Sequence, residues 1–252
     1  MVDPPPQTLE EDNAALSPVV EVFEGIPVVN DDQELLRRGI CRAKISESID
    51  IDRWADELSQ VTPLIMAFEG DGEYAFYRNI LEEPEFPFDK ILFAETPSEA
   101  SEIGTAILKH FPVLPEKPSM ETELLSKELR LDDAFCVHYN MDQDDTSGAK
   151  HMDPSDITIN MCLQKSQDTR GSYVLFHGTK HLQGLDSAEE QSTTTPKEDQ
   201  FLVPQIPGTA TIHFGDHFHE TTHLREGRRT NIILTYLYTD PTRSDASTRS
   251  CY

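Results

Sequence analysis

The second half of the chain constrains its fold most. From Ala134 onward the sequence consists of short runs rich in β-branched and aromatic residues, separated by polar turns: AFCVHYN, ITINMCLQ, GSYVLFHG, QFLVP, GTATIHF and TNIILTYLYT. Runs of this length and spacing predict an antiparallel sandwich or jelly roll, because βαβ units would need helical segments between the strands. The expected fold class is therefore α+β, with a mainly-β half preceded by helices.

The first half has a different pattern. Helices are predicted where leucine and isoleucine recur at helical spacing or where acids and N-cap residues mark a first turn, namely at 31–42, 50–58, 96–111 and 120–131. The chain then divides into a disordered acidic and proline-rich N-terminus, a mostly helical supporting region, a β-rich core and a flexible tail, at residues 1–25, 26–132, 133–240 and 241–252.

Charge limits the partners of this protein. The chain carries 46 acidic and 21 basic residues, for a formal net charge of −25. So negative a surface repels the phosphates of nucleic acids and the anionic face of a membrane, whereas it suits a basic protein. No nucleic-acid or membrane partner is therefore expected.

Cysteine usage and the N-terminus bear on the compartment. The four cysteines are scattered without a CxxC pair, which favours reduced thiols, and the first residues lack the pattern of a secretion signal. We therefore expect an intracellular protein, cytoplasmic or nuclear. The cysteines are Cys41, Cys136, Cys162 and Cys251.

Histidines concentrate in the β-rich half, which contains eight of the nine. His151 and Asp153 are two residues apart, and in extended chain such residues point to the same side. An imidazole and a carboxylate so placed form two thirds of the 2-His-1-carboxylate triad that holds Fe(II) and leaves positions open. Alone, the tripeptide is a weak signal, since a solvated turn with an Asp cap has the same residues.

A second pattern follows later in the chain. His213, His217 and His219 lie within seven residues, and Gly227-Arg228-Arg229 leads from them into an apolar strand. A histidine here would complete the triad, and the planar fork of an arginine binds a carboxylate through two parallel hydrogen bonds. The alternative is a surface arginine paired with Glu226 or Glu220.

Together these patterns resemble the Fe(II)/2-oxoglutarate-dependent dioxygenase family, on its prolyl 4-hydroxylase-like branch. That family has an HxD motif, a distal histidine some tens of residues later and an arginine or lysine about ten residues beyond, as His151, Asp153, His219 and Arg229 stand here. The run from His151 to Leu163, HxDxSxxTxNxxL, is particularly similar to a eukaryotic subgroup of these oxygenases. The resemblance covers residues 133–239.

The resemblance implies a double-stranded β-helix, or jelly roll, braced by the N-terminal helices. It implies that His151, Asp153 and His219 are the catalytic metal ligands, with His217 as second choice for the distal position. Arg229 and Tyr139 would bind the far carboxylate of 2-oxoglutarate.

The implied cofactors are Fe(II), the cosubstrate 2-oxoglutarate and O2, with ascorbate as a reductant used by relatives. The implied activity is hydroxylation of an unactivated C–H bond, coupled to decarboxylation of 2-oxoglutarate to succinate. A Pro or Lys side chain of a protein is the substrate expected at family level, and a small molecule is the alternative. Thr158 and Asn160 face the same way and are expected to line the site.

Two other functions compete with this interpretation. A cupin-like protein on the same barrel would bind metal through His217, His219 and His223, so that Asp153 and Arg229 would not matter. A catalytically silent binding module would keep the barrel without the chemistry. The set of His151, Asp153, His219 and Arg229 argues against both.

Overall fold

A computed structural model of the chain describes residues 25–59, 76–94, 99–112, 123–142, 146–185, 199–244 and 246. The predicted N-terminal disordered segment lies almost wholly outside these residues. The helices are α1 (Asp32–Arg37), α2 (Ile51–Ser59), α3 (Asp89–Leu92), α4 (Glu102–His110) and α5 (Glu123–Glu128). The strands are β1 (Cys41–Lys44), β2 (Phe76–Asn79), β3 (Leu129–Asn140), β4 (Gly148–His151), β5 (Ile157–Lys165), β6 (Arg170–Gly171), β7 (Val174–His177), β8 (Gln200–Val203), β9 (Thr209–Phe214), β10 (His219–Thr221), β11 (Leu224–Glu226) and β12 (Arg228–Tyr238).

The strands form two main antiparallel sheets. The large sheet has six strands in the order β1-β9-β5-β12-β3-β2, and the small sheet has four in the order β4-β10-β7-β8. A short third sheet pairs β11 with β6. The prediction of a mostly-β, antiparallel architecture with a few helices is confirmed.

Of the four predicted helices, the one at 50–58 closely matches the structure, as α2. The predicted helix at 31–42 is too long, because α1 ends at Arg37 and residues 41 and 42 belong to β1. The predicted helix at 120–131 is also too long, because residues 129–131 belong to β3. Helix α4 begins at Glu102, and Ser101 caps it by accepting a hydrogen bond from the Gly104 backbone N–H through its Oγ. The predicted start at residue 96 is wrong, because residues 99 and 100 form a bend and a β-bridge. Residues 95–98 themselves lie outside the described residues.

Two strands of the first half were not expected. β1 pairs with β9, and β2 pairs with β3, so that both form edges of the large sheet. In β1, Cys41 and Ala43 are buried while Lys44 is exposed. Short edge strands with charged residues protect a sheet against pairing with other chains, but for the same reason they read as loops in a sequence.

The large sheet has two chemically different faces. One packs against the helices through an apolar core that joins Ile157, Ile159 and Met161 of β5 to Trp54 of α2 and Ile107 of α4. The opposite face, which we call the inner face, is turned to the small sheet. Cross-strand partners share a face, and alternation along β5, β9 and β12 gives the inner face the residues Thr158, Asn160, Thr211, His213, Arg229 and Asn231.

The small sheet closes over this polar face. Its own apolar cluster includes Val174 and Phe176 of β7 and Phe201 and Val203 of β8. The Phe176 ring meets the His213 ring edge-on, with centroids 5.1 Å apart, which joins the small sheet to the inner face. The space between the sheets is thus apolar on one side and polar on the other.

Three further features complete the fold. Cys41, Cys136 and Cys162 are buried. No helix in the part of the chain that the structure describes is long and apolar enough to span a bilayer. At the start of the predicted C-terminal tail, a 3-10 helix spans Pro241–Arg243, and the Arg243 guanidinium donates hydrogen bonds to the Glu128 carboxylate and the Pro112 carbonyl.

Candidate metal centre

Pairing in the small sheet brings the predicted metal ligands together. β4 ends at His151, β10 begins at His219, and these two residues are direct partners across the strands. Asp153 follows β4 by two residues. One ligand atom from each of the three side chains lies within 4.8 Å of the other two. His151 Nε2 is 3.4 Å from Asp153 Oδ1, and His219 Nε2 is 3.8 Å from Asp153 Oδ2.

The second ring nitrogen of each histidine is held by the backbone. His151 Nδ1 lies 2.7 Å from the Ala149 carbonyl oxygen, and His219 Nδ1 lies 2.9 Å from the His217 carbonyl oxygen. A carbonyl can only accept, so each Nδ1 carries the hydrogen and donates it. The Nε2 atoms then face Asp153 and carry the lone pair whenever the ring is neutral, which is the tautomer that metal-binding histidines use.

Asp153 is held as a buried carboxylate. Its Oδ2 accepts a hydrogen bond of 2.6 Å from Thr158 Oγ1, and its backbone N–H donates to the Gly215 carbonyl at 2.8 Å. Burial alone would raise the pKa of the carboxyl, but the neighbouring His219 and His151 outweigh it and hold the pKa of Asp153 below its usual range. The group is therefore ionised at neutral pH.

The other two histidines of the cluster lie behind the ligands. The rings of His213 and His217 both contact Phe176, and His213 also meets His219 with centroids 4.8 Å apart. Burial lowers the pKa of His213 to about 3 and that of His217 to about 4, so both are neutral at pH 7.

The structure favours His219 over His217 as the third member of the group. His217 Nε2 lies 3.1 Å from the Gly178 carbonyl oxygen and thus donates to it, whereas the His217 carbonyl orients His219. Among the described residues, His217, His219 and His223 do not gather their nitrogens into a group that could hold a metal. The geometry therefore does not supply the alternative cupin-like site.

Arg229 is buried on the inner face, with 2% of its surface exposed. Its Nη1 donates to the Ser172 carbonyl at 2.9 Å, and its Nε is buried without a partner. The alternative of a surface ion pair is wrong, because Glu226 pairs with Arg170 and Glu220 pairs with His177. Burial lowers the pKa of Arg229 but leaves it a cation.

Tyr139 lies next to Arg229, as the pairing of β3 with β12 requires. Its ring is stacked against the guanidinium, whose central carbon is 5.1 Å from the ring centroid. The hydroxyl donates to the Ser147 carbonyl at 3.2 Å. The aromatic face and the cation therefore form one wall of the inner space.

Sequence reasoning missed part of this site. Thr158 was expected to line it, but its bond to Asp153 was not foreseen. Ser172 and Gln205 were not singled out, although both are buried on the inner side of the barrel and keep unpartnered polar atoms. The available signal was the presence of polar residues inside otherwise apolar strands, such as Asn160 and Asn231.

Comparison with known proteins supports the fold. No protein-family model matches the chain, and neither does any curated protein sequence. Among solved structures, the α-ketoglutarate-dependent epimerase SnoN from nogalamycin biosynthesis superposes with a TM-score of 0.52 at 15% identity, covering 82% of this chain and 81% of that one. SnoN has also been solved with Fe3+, α-ketoglutarate and nogalamycin RO.

A second solved structure has a similar fold. AviO1 from Streptomyces viridochromogenes Tue57 superposes with a TM-score of 0.50 at 13% identity, covering 84% of this chain and 97% of that one. At such identities the likeness establishes a shared fold, and the chemistry must be argued from this chain's own residues.

Proposed function

We propose that this protein is an Fe(II)- and 2-oxoglutarate-dependent oxygenase. The observation that carries the proposal is the combination of two features inside one barrel. One is the His151, Asp153 and His219 group, and the other is the buried guanidinium of Arg229, for which no carboxylate partner exists among the described residues. A buried cation without a counter-charge is costly, so this pair of features calls for an anionic ligand beside a metal.

The donor set fits Fe(II). Two neutral imidazole nitrogens and one carboxylate form a facial triad that leaves coordination positions open. Burial lowers the pKa of His219, and the ionised Asp153 supplies the negative charge that a divalent cation needs. Neither group has to be rearranged, because backbone carbonyls and Thr158 already hold them.

The inner face fits 2-oxoglutarate. The unpartnered Nε of Arg229 is a charged donor in a site from which water is largely excluded, and a terminal carboxylate satisfies it with a charge-assisted hydrogen bond. The guanidinium lies over the ring of Tyr139, in a cation–π contact. In this arrangement the residues at one end of the inner space bind the metal, and those at the other bind the carboxylate.

The residues of the chain orient and shield the reaction. When bound, Fe(II) and 2-oxoglutarate supply the chemistry in which O2 and a C–H bond give a hydroxyl group, succinate and CO2. The ligand histidines keep their protons on Nδ1, and Asp153 keeps its charge. Phe176 and the apolar residues of the small sheet exclude water from the back of the site.

The order of the strands supports a double-stranded β-helix. From β3 to β12 the chain passes between the large and small sheets, with β3, β5, β9 and β12 in one and β4, β7, β8 and β10 in the other. We therefore assign residues 133–240 as the oxygenase core, 26–132 as its support and 241–252 as a tail. This assignment is part of the proposal.

The substrate is proposed on weaker grounds than the cofactors. The motif from His151 to Leu163 resembles the prolyl 4-hydroxylase-like branch, and the net charge of −25 suits a basic protein, so a Pro or Lys side chain is the first candidate. A small molecule is the second candidate, since SnoN shares the fold and has been solved with nogalamycin RO. Succinate formation that is stimulated by basic peptides, and not by peptides of the same length with acidic flanks, would support the first candidate. No stimulation by either kind of peptide would favour the second.

Anaerobic titration of 2-oxoglutarate into the Fe(II)-loaded protein tests the cofactors. A chelated 2-oxo acid gives a weak visible charge-transfer band, which should appear, saturate and be absent in Asp153→Ala. His219→Ala should also abolish iron-dependent turnover, whereas Arg229→Ala should chiefly weaken 2-oxoglutarate binding. Full turnover in either ligand variant would show that the triad is wrongly assigned.

A further inference from the structure

Among the described residues, seven buried polar side-chain atoms have no hydrogen-bond partner, and four of them belong to Arg229, Asn231 and the residues that these two contact. These four are Ser172 Oγ, Gln205 Nε2, Arg229 Nε and Asn231 Oδ1. An unpartnered buried polar group is costly, so native proteins keep few of them. Four in one barrel indicate that something other than this chain satisfies them.

Hydrogen bonds through other atoms join these four residues in two pairs. Arg229 Nη1 donates to the Ser172 carbonyl at 2.9 Å, and Asn231 Nδ2 donates to Gln205 Oε1 at 2.8 Å. Arg229 and Asn231 are two residues apart on β12 and therefore point to the same face. Gln205, in the connection between β8 and β9, is thus held at the inner face by Asn231, the neighbour of Arg229 on that face of β12.

The structure places the oxygen end of the Gln205 amide against Asn231. Asn231 Nδ2 carries two hydrogens and donates one to Asn160 Oδ1 at 2.5 Å and the other to Gln205 Oε1. The oxygen of Gln205 is therefore used, and its amino group is the free end. Gln205 is 3% exposed, so bulk water does not reach that donor.

We propose that Gln205 is a specificity-determining residue that binds the far carboxylate of the 2-oxo acid together with Arg229. This inference rests on the proposed function and deepens it. A carboxylate has two oxygens, and each can accept a hydrogen bond from one of the free donors, Arg229 Nε on β12 and Gln205 Nε2 in the connection between β8 and β9. A ligand that ends in a methyl group would leave both donors buried and unpaired, and would be rejected for that reason.

Asn160 and Asn231 are positioning residues in this arrangement. Asn231 Nδ2 donates to the oxygen of Gln205 and so aims its amino group, and Asn160 Oδ1 accepts from the same Nδ2 and orients Asn231. The unpartnered Asn231 Oδ1 is an acceptor and takes no part in binding the carboxylate.

The decisive variant is Gln205→Glu. It keeps the shape of the side chain and the oxygen that accepts from Asn231, and it replaces the free amino group with a carboxylate oxygen. The ligand's own carboxylate is then repelled, or finds Arg229 already paired. Gln33→Glu on α1 makes the same chemical change at an exposed position and is the matched control.

The experiment measures binding with two 2-oxo acids of equal chain length. Fe(II)-loaded full-length protein is titrated anaerobically with 2-oxoglutarate and with 2-oxopentanoate, which has a methyl group in place of the far carboxylate. We expect Gln205→Glu to weaken 2-oxoglutarate binding by about tenfold or more and to leave 2-oxopentanoate binding unchanged. Gln33→Glu should leave the affinity for both acids unchanged.

A second variant and a second readout keep the inference open to refutation if Gln205→Glu fails to fold. Gln205→Met is neutral and removes the donor, and it should weaken 2-oxoglutarate binding by about threefold or more while sparing 2-oxopentanoate. Glutarate, which lacks the 2-oxo group, should raise the Tm of metal-free wild-type protein more than that of either variant.

The outcomes separate the two proposals. Wild-type affinity for 2-oxoglutarate in both Gln205 variants would overturn the inference alone, and so would equal weakening of both acids, which indicates a merely structural role. If neither acid gives the charge-transfer band in wild-type protein, the proposed function is overturned and this inference with it.

Discussion

Thr158→Val removes the hydrogen bond that holds the Asp153 carboxylate while keeping the volume of the side chain. Asp153, being ionised, only accepts, so Thr158 Oγ1 donates to Asp153 Oδ2 at 2.6 Å and accepts in turn from Ser155 Oγ at 2.8 Å. Both Thr158 and Asp153 are buried, with 1% and 7% of their surfaces exposed. Water therefore cannot replace the lost donor.

The size of the effect follows from these contacts. A buried hydrogen bond to a charged group contributes about 1.5–3 kcal/mol, which corresponds to about 10- to 100-fold in a binding constant. The same range is typical when a partner of a metal ligand is removed. We expect Fe(II) affinity to fall by this factor, because Asp153 loses the bond that fixes its carboxylate before the metal arrives.

Competition with a chromophoric chelator under anaerobic conditions measures the affinity. The matched control is Thr211→Val, at a buried threonine on the same inner face that pairs with Asn160 across β5 and β9. An Fe(II) affinity of Thr158→Val within twofold of wild type, with native circular dichroism, would refute the reasoning that Thr158 orients Asp153.

Three further predictions concern pH and packing. Burial lowers the pKa of His151, but the hydrogen bond and charge of Asp153 outweigh it and raise the pKa. Metal affinity should therefore increase with pH, and calorimetry in two buffers should detect protons released on metal binding, more of them at pH 6 than at pH 8. Burial also lowers the pKa of His213 to about 3, so below pH 6.5 the unfolded chain takes up a proton that the folded chain does not. About 2 kcal/mol of stability should therefore be lost at pH 5. Urea unfolding should show that His213→Gln reduces the loss of stability between pH 7 and pH 5 by that amount. In Gly215→Ala the new Cβ would overlap the carbonyl oxygen and Oγ of Ser155, so stability and metal affinity should fall together, as measured by thermal unfolding and metal titration. Gly148→Ala, with ordinary contacts around its Cβ, should change neither.

The ligand group was partly predictable because its geometry is local. His151 and Asp153 point to the same side because extended chain repeats every two residues, and this relation can be recognised from the sequence alone. His219 is 68 residues from His151, and the two meet only because β4 pairs with β10 in a particular register. Sequence spacing to Arg229 singled out His219, but a shift of one residue would have turned it to the other face.

The amide contacts of Gln205 could not be predicted in the same way. Asn160, Asn231 and Gln205 come from three separate parts of the chain, and their meeting depends on the pairing of β5 with β12 and on the path between β8 and β9. In the sequence, each of these polar residues could equally be a solvent-exposed position of a strand or loop. Only the burial of Asn231 and Gln205 distinguishes the two interpretations.

The two faces of the large sheet show why a ligand belongs to this fold. On the helix side, Ile157, Ile159 and Met161 are fully buried and stabilise the sheet by removing apolar surface from water. Most of the alternate residues on the inner face are buried too but polar, and Arg229 and Asn231 keep unpartnered atoms, so this face contributes less than an apolar one would. A ligand that satisfies these groups binds the folded state alone, and at 100 times its Kd it adds about 2.7 kcal/mol to the free energy of unfolding. The stability of the barrel is therefore expected to depend on the ligand that its inner face binds.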